Sequence, residues 1–458
     1  LKKSLSKRKT LLTVGILFDI IVNMKWNKEN LVKDILAGLT TSFAAIALGA
    51  AFGIQSGRGA LAGMLAAAVI AIVTSILGGT KIQASGPTAP MTAVTVLVIG
   101  YAYTQFGEGT NNAEGFVTLV LLLTALIMIL GGIFRAGGLI KRVPNVVILG
   151  FMNGIAVLIW WDQIKKLFGL GGTLQLSGNS VYNITLAATT FLIIMLFPYI
   201  LSKFNIPQRL RPFIPGTLVT IVAMTYIFLL SSLDLQTVSL GGANINFANP
   251  REYFSKLIPS SELFTVPIIL KAFTFAMQLA ILGYLDSLLT SIVIDKMTGQ
   301  TTAKNRELIA QGISNGVAGL VGGIPGAQAT IRSVILVKEG AKTRLAGVMV
   351  GVFTLLGVFV FKDAITLVAT AIFVGVLFKA GLDVFEKDYF IEYFKRAEYN
   401  NTQLNLQLIL VLYTTVVTVL IDLNVAVITG TAIYYFLKWK IKLKDVGEGE
   451  ETSMSIEA

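Results

Sequence analysis

The chain alternates long apolar runs with short polar, mostly basic, stretches. Uncharged runs of the roughly 20 residues needed to cross about 30 Å of hydrocarbon fall at 35–57, 59–80, 82–107, 115–134, 143–161, 167–202 and 212–233. A second series covers 272–294 (interrupted by Asp286), 308–331, 345–361, 364–378, 399–421 and 423–437. The 308–331 run carries Gly-Gly-Ile-Pro-Gly at 322–326, so it divides into one helix before that break and one short helix after it. Each half then supplies seven spans, with 234–265 as an extracellular connector. The pattern predicts an all-α polytopic membrane protein of fourteen transmembrane segments. An odd number of spans per half makes the halves inverted relative to one another.

Composition agrees and removes whole classes of chemistry. The 458 residues are 54% hydrophobic and 14% charged, against about 25% charged in soluble domains, and mean hydropathy is +0.76. There is no Cys and no His. Disulfides, thiolate nucleophiles, imidazole bases and Cys- or His-ligated metals are therefore excluded. If both termini are cytoplasmic, 29 of the 37 Lys and Arg lie on that side. Seven lie on the other (Arg58, Lys165, Lys166, Arg251, Lys256, Lys271 and Lys362), and Arg332 lies within a span. That bias is the one the positive-inside rule expects. The net charge of +12 is then topology and attraction to anionic lipid, and nucleic acid is not an expected partner. Trp26, Trp160, Trp161 and Trp439 fall at predicted interfaces, where tryptophans anchor helices. In the basic N-terminal segment 1–33, ten mostly basic and polar residues precede an apolar run, 11–23, too short to span and without a cleavage site; residues 1–23 are expected to be dispensable, a basic interfacial helix being the alternative. An amphipathic connector, 380–398, reads as a cytoplasmic surface helix.

Two segments do not read as ordinary transmembrane helix. Ser85-Gly86-Pro87-Thr88-Ala89-Pro90-Met91-Thr92 opens the third span, and 322–332 opens the tenth, so each break is third of seven in its half. Pro lacks an N–H and Gly permits extended or left-handed backbone. Irregular backbone at membrane depth is tolerated only against protein or a water-filled cavity, and paired breaks in two halves point to a transporter's midplane site. Half-helices starting at Thr88–Thr92 and Ala327–Arg332 would each present unpaired N–H groups and about half a positive charge. The candidate anion ligands are Thr88, Ala89, Thr92, Gln328, Ala329, Thr330 and Arg332. The structural alternative is that the breaks only kink packed helices and that Arg332 reaches to an interface.

Asp286 is the other outlier, lying inside the eighth span. An intramembrane carboxylate costs at least about 2.5–3.5 kcal/mol and is functional by default. Thr290 lies four residues on and shares its helix face. Carboxylate, hydroxyl and free carbonyl oxygens suit a hard cation such as Na⁺. Proton carriage by Asp286, or a structural pair with Arg332, are the competing roles.

These residues, together with Asp34-Ile35-Leu36-Ala37-Gly38-Leu39-Thr40, 150–157, Asp286-Ser287-Leu288-Leu289-Thr290 and 305–312, resemble the SulP anion transporters, also called the SLC26 family. The resemblance covers about residues 34–437. It implies seven-plus-seven inverted repeats with a core domain (34–134, helices 1–4; 266–361, helices 8–11) and a gate domain (143–233, helices 5–7; 364–438, helices 12–14), the core moving against the gate. The Asp-Ser-Leu-Leu-Thr form resembles that of the Na⁺-dependent bicarbonate transporters of the BicA type. In that group the residues matching Asp286, Thr290 and Thr330 bind sodium, and the one matching Thr88 contacts bicarbonate. The BicA-like pattern has Gly where this chain has Gln328; its carbonyl still suits a cation, while its side chain would fill or donate into the anion pocket. The tail 439–458 is too short and polar for the cytoplasmic STAS domain that many members carry after helix 14.

The expected function is secondary active transport of a small inorganic oxyanion by alternating access, most closely sodium-coupled bicarbonate uptake, with Asp286, Thr290, Gln328 and Thr330 holding Na⁺. The alternatives are a proton-coupled sulfate or dicarboxylate transporter of the same fold, and an uncoupled anion channel. No cofactor is expected beyond Na⁺ as co-substrate, and no enzymatic activity, since a lone Asp offers no nucleophile–base pair. The expected setting is the plasma membrane, multi-pass, with both termini cytoplasmic. Membrane lipid is an expected partner, and a homodimer is the assembly left open.

Overall fold

Nearly every apolar run of the sequence becomes a helix, because only a helix satisfies its own backbone where water is absent. The computed structural model of the chain describes residues 28–138, 143–170, 175–203, 216–238, 250–396, 401–421 and 423–446. The expectations for residues 1–23, for Trp26 and for the end of the tail lie outside the described residues.

The first seven helices are α1 (Lys28–Ser56), α2 (Ala60–Leu77), α3 (Ala89–Phe106), α4 (Asn111–Ile133), α5 (Asn145–Phe168), α6 (Ser180–Lys203) and α7 (Gly216–Leu230). A short connector helix, α8 (Pro250–Leu257), precedes α9 (Val266–Thr298), α10 (Lys304–Leu320), α11 (Thr330–Lys338), α12 (Arg344–Ile365) and α13 (Thr370–Val384). A surface helix, α14 (Lys387–Arg396), leads to α15 (Thr402–Leu420) and α16 (Leu423–Ile441). Among the described residues seven helices are long and apolar enough to cross a bilayer by themselves, and α7 and most of α12 are shorter apolar helices. Leu192, Leu196, Val222, Ile227 and Leu230 are more than half exposed, which places a lipid-facing surface on α6 and α7.

The helices pack in two groups. In one, α2 and α12 pack on α1 and on each other, and α10 packs on α4 and α2, with α9 against α4. In the other, α15 packs on α5, α13 on α6 and α5, and α16 on α15. The pairings recur when the halves are exchanged. The second span on the eleventh matches the ninth on the fourth, and the fifth on the thirteenth matches the twelfth on the sixth. Direct packing between the groups is sparser and involves α3 with α5 and α1 with α7 and α13.

Several predicted boundaries move. The fifth span does not stop at 161: α5 continues through Asp162, Lys165 and Lys166 to Phe168 and ends on left-handed Gly169. The pair Lys166 Nζ to Asp162 at 2.9 Å, one turn apart, lets the helix carry those charges. The run 364–378 is not one span either. It contributes its first residues to α12, and α13 starts at Thr370 and runs to Val384, taking the beginning of the expected connector at 380–398. The reason is tertiary: the 234–265 connector reaches back, with Val238 N–H donating to the Val368 carbonyl (2.9 Å) and Thr370 N–H to that of Gln236 (2.8 Å). Trp160 also takes part in helix packing, its indole Nε1 donating to the Phe378 carbonyl (3.0 Å) on α13.

Arg58, counted as an outer-loop charge, is wholly buried. Its guanidinium pairs with Glu114 at 2.5 Å and donates to the Gly323 carbonyl at 2.6 Å. At the opposite end Glu307 is equally buried and accepts from the N–H groups of Gly79 (2.7 Å) and Thr80 (2.9 Å) and from Gln311 Nε2 (2.8 Å). A buried charge must be paired and hydrogen-bonded to be tolerated, and each of these holds the loop leading into one of the two broken segments.

Candidate functional site

The two broken segments meet. Ser85–Gly86 (β1) and Ala327–Gln328 (β2) form a two-residue antiparallel pair, Ser85 opposite Gln328 and Gly86 opposite Ala327. Extended backbone at this depth needs partners for every N–H and C=O, and side chains from neighbouring helices supply them. Asn315 of α10 brackets Gly326, accepting from its N–H (2.8 Å) and donating to its carbonyl (2.9 Å). From α9, Ser287 accepts from the Gln328 N–H (3.2 Å) and Thr290 donates to the Gln328 carbonyl (3.1 Å). From α11, Ser333 accepts from the Ala84 N–H (3.1 Å). The Asp-Ser-Leu-Leu-Thr run thus uses two of its residues to hold β2.

Glycine is required where the strands cross. Gly86 has φ +154°, and a Cβ there would lie 2.8 Å from Arg332 Nη1. A Cβ on Gly326 would run into the Gly86 carbonyl group and come within 2.7 Å of the Pro87 nitrogen. Gly326→Ala is expected to destabilise the protein by about 1–3 kcal/mol through overpacking and to depress transport. Gly100→Ala, with nothing within 4 Å of the added carbon, is the matched control. Thermal melting of the two purified variants measures the difference.

Beyond the strands, Thr88 is the N-cap of α3 and Ala329 that of α11, and neither helix has a side-chain cap. Their first-turn donors are left for whatever occupies the space in front of them. That space is a cavity of about 370 Å³ lined by Thr88, Ala89, Asp286, Ala329, Thr330 and Arg332, with α1 (Leu48, Phe52) and Met152, Ile194 and Val376 of the second helix group as its other walls. The lining continues to Lys379, Asp383 and Glu386 at the C-terminal end of α13, where Lys379 pairs with Asp383. Burial, then the neighbouring Asp388, pushes the Glu386 carboxyl above its ordinary range.

Arg332 is almost fully buried and gives Nη2 to the Pro87 carbonyl at 2.8 Å. Its Nε and Nη1, Thr88 Oγ1 and Asp286 Oδ2 are buried without a hydrogen-bond partner of full geometry among the described residues. Asp286 lies beside Thr88 and within electrostatic reach of Arg332. Unpaired buried donors and acceptors are each costly, and four gathered at one cavity mark a place built for a polar or ionic occupant. Next to them Thr290 Oγ1 is 2.6 Å from Thr330 Oγ1 and 3.1 Å from the Gln328 carbonyl. Asp286 precedes Thr290 by one turn of α9. The set is all oxygen with one formal charge, and no group of three or more acidic side chains able to hold a metal occurs among the described residues.

Thus Thr88, Ala89, Ala329, Thr330, Arg332 and Asp286 come together around one cavity, and Thr290, Thr330 and the Gln328 carbonyl around one point. Thr92 and the Gln328 side chain do not join them. Thr92 Oγ1 turns back to the Thr88 carbonyl (2.8 Å), and Gln328 Oε1 points to Thr80 (3.4 Å), because adjacent side chains of a strand face opposite ways. The supporting residues Ser287, Asn315, Arg58 and Glu307 were not legible as such; a polar residue inside an otherwise apolar helix is the signal that marks the first two.

Comparison with known proteins agrees with this geometry. The profile of the Sulfate permease family matches residues 31–404. The bicarbonate transporter BicA of Picosynechococcus sp. is 31% identical over 89% of this chain and 70% of its own length. The putative sulfate transporter YvdB of Bacillus subtilis is 29% identical over 90% and 75%. Among solved structures, the transmembrane domain of a cyanobacterial bicarbonate transporter BicA superposes with a TM-score of 0.72 at 28% identity, covering 88% of this chain and 99% of that one. SLC26A9, at 16% identity and a TM-score of 0.70 over 94% and 69%, shares the fold. The chain is a member of the sulfate permease (SulP/SLC26) family, a multi-pass membrane anion transporter and not an enzyme.

Proposed function

We propose that this transporter couples inward movement of bicarbonate to Na⁺. The observation that carries the reading is the adjacency of two unlike sites. An oxygen set (Asp286, Thr290, Thr330 and the Gln328 carbonyl) abuts a cavity into which two half-helix N-termini and Arg332 project. The half-helix ends supply positive potential, and Asp286 cancels much of it. A monovalent cation at the oxygen set neutralises the carboxylate and restores an anion-attracting field. Neither ion then binds well alone, which is coupling by electrostatics.

In this reading the helix group containing α3, α9 and α11 is the core, and the group containing α5, α6, α13 and α15 is the gate. The halves are inverted repeats, and the core slides against the gate across their sparse contact. The charge bias supports a plasma-membrane topology with both termini cytoplasmic, so the described cavity, reaching Lys379 and Glu386, is the inward-open form. Bicarbonate as substrate is supported by likeness to BicA and by the Asp-Ser-Leu-Leu-Thr run. Likeness to YvdB makes sulfate the competing substrate.

The test is uptake of labelled bicarbonate, sulfate, nitrate and fumarate into proteoliposomes with Na⁺ or with choline at fixed pH. Concentrative bicarbonate uptake that collapses in choline is the expected result. Uptake indifferent to Na⁺ but driven by a proton gradient, or dissipating any gradient without concentrating, overturns it.

A further inference from the structure

A second cavity, of about 360 Å³, opens where α2 and α9 end and α10 and α12 begin. It carries three cationic side chains, Lys81, Arg306 and Arg344, against one carboxylate, Asp295. That carboxylate is already engaged, accepting from the Thr302 N–H (2.9 Å) and Thr302 Oγ1 (2.8 Å). Arg306 donates through Nε to the Leu77 carbonyl (2.8 Å), and Arg344 through Nη1 to the carbonyls of Ser75 (3.1 Å) and Thr80 (3.3 Å). These bonds fix both guanidiniums at the C-terminal end of α2. The remaining guanidinium nitrogens have no hydrogen bond among the described residues.

Capping the last carbonyls of α2 needs one cation, and two half-buried guanidiniums within electrostatic reach of each other repel, a repulsion that the nearby Glu307, itself engaged by the 79–80 backbone, offsets only in part. An anion held between fixed guanidinium forks relieves that repulsion, and this is the geometry that suits tetrahedral oxyanions. Lys81, exposed at the rim, adds a mobile third charge. Hydroxyls line the floor: Thr80 Oγ1 and Thr302 Oγ1 lie 3.0 Å apart. Thr80 Oγ1 is also 3.4 Å from Gln328 Oε1, and Gln328 Nε2 is buried without a partner among the described residues. Through its backbone the same Gln328 accepts from Thr290.

We propose that this second cavity binds a phosphate group, and that Gln328 links its occupancy to the cation site on the other side of β2. Only the link rests on the Na⁺ reading; the binding does not. The phosphate belongs either to a free anion or to a lipid headgroup.

The experiment is equilibrium binding of labelled inorganic phosphate to the purified full chain in detergent. Binding is expected to persist in Arg332→Gln, which disables the transport cavity. It should weaken about threefold in Lys81→Gln and at least about tenfold in the Lys81→Gln/Arg306→Gln pair, as loss of charge-assisted bonds predicts. Equal binding in wild type, Lys81→Gln and the double variant, or none in wild type, overturns the site. Lys81 is exposed, so its variant tests the idea even if Arg306 proves necessary for folding. In nanodiscs, phosphatidate that competes with phosphate in wild type identifies a headgroup as the occupant, and absence of competition identifies free phosphate. Phosphate on this face should shift the Na⁺ dependence of uptake in wild type but not in Gln328→Gly; no shift in wild type overturns the link.

Discussion

Asp286→Asn should abolish Na⁺ stimulation of uptake while leaving a folded protein that still binds its anion. The amide keeps the shape and removes the charge. The oxygen set then loses its one formal negative charge, and Na⁺ affinity falls by at least about tenfold, or about 1.4 kcal/mol. At the same time the half-helix ends and Arg332 are no longer opposed, so the anion should bind without sodium. The variant is thus expected to uncouple the two ions rather than simply to lose activity. Anion binding and uptake measured across a Na⁺ series, in wild type and variant, separate these outcomes. Concentrative, Na⁺-driven uptake surviving in the variant would falsify the assignment of Asp286. Asp286 Oδ2 has no hydrogen-bond partner of full geometry among the described residues, and the amide can still accept from the neighbouring Thr88 hydroxyl, so the shape of the site is kept.

Arg332→Gln is expected to act on the other ion. It removes the one full positive charge lining the cavity beside the half-helix ends, and anion affinity should fall by at least about tenfold, since a charge-assisted hydrogen bond is roughly twice as strong as a neutral one. Na⁺ binding measured without anion should be strengthened or unchanged, because the cation then meets less positive charge. Arg332→Lys should restore little: the guanidinium lies close against Gly86 while giving Nη2 to the Pro87 carbonyl, and a point charge on a flexible stem cannot reproduce that fork. An unchanged KM for the anion in the Gln variant would show that Arg332 only braces β1.

Both predictions concern residues that stood out in the chain because charge is rare within its apolar runs. The same rarity made the polar breaks at 85–92 and 322–332 visible, and the strands and half-helices lie there. Other features were hidden for identifiable reasons. Arg58 sits between two apolar runs and has the look of a loop charge; only the packing of α4 and of the 322–326 segment around it shows a buried pair with Glu114 and Gly323. Asp34 reads as the lead-in to α1, yet it accepts from the N–H groups of Lys342 (2.7 Å) and Thr343 (3.1 Å) and so holds the turn leading into α12 from more than three hundred residues away. Glu307 does the same for the loop at 79–80. No local pattern reports a partner so distant.

Hydrophobic run length, the bias of Lys and Arg, and the paired Pro-Gly breaks were sufficient for a helical membrane protein with a polar site at two broken helices. The bilayer makes these rules local: each apolar run must satisfy its own backbone, and each exception shows against it. Which way the Gln328 side chain faces, which carboxylates hold distant loops and which one lines the cavity, and that a second basic cavity lies behind β2, were decided by tertiary structure alone. Those outcomes depend on which donor reaches which acceptor across helices far apart in the chain, and on how adjacent residues of a two-residue strand divide their side chains between opposite faces.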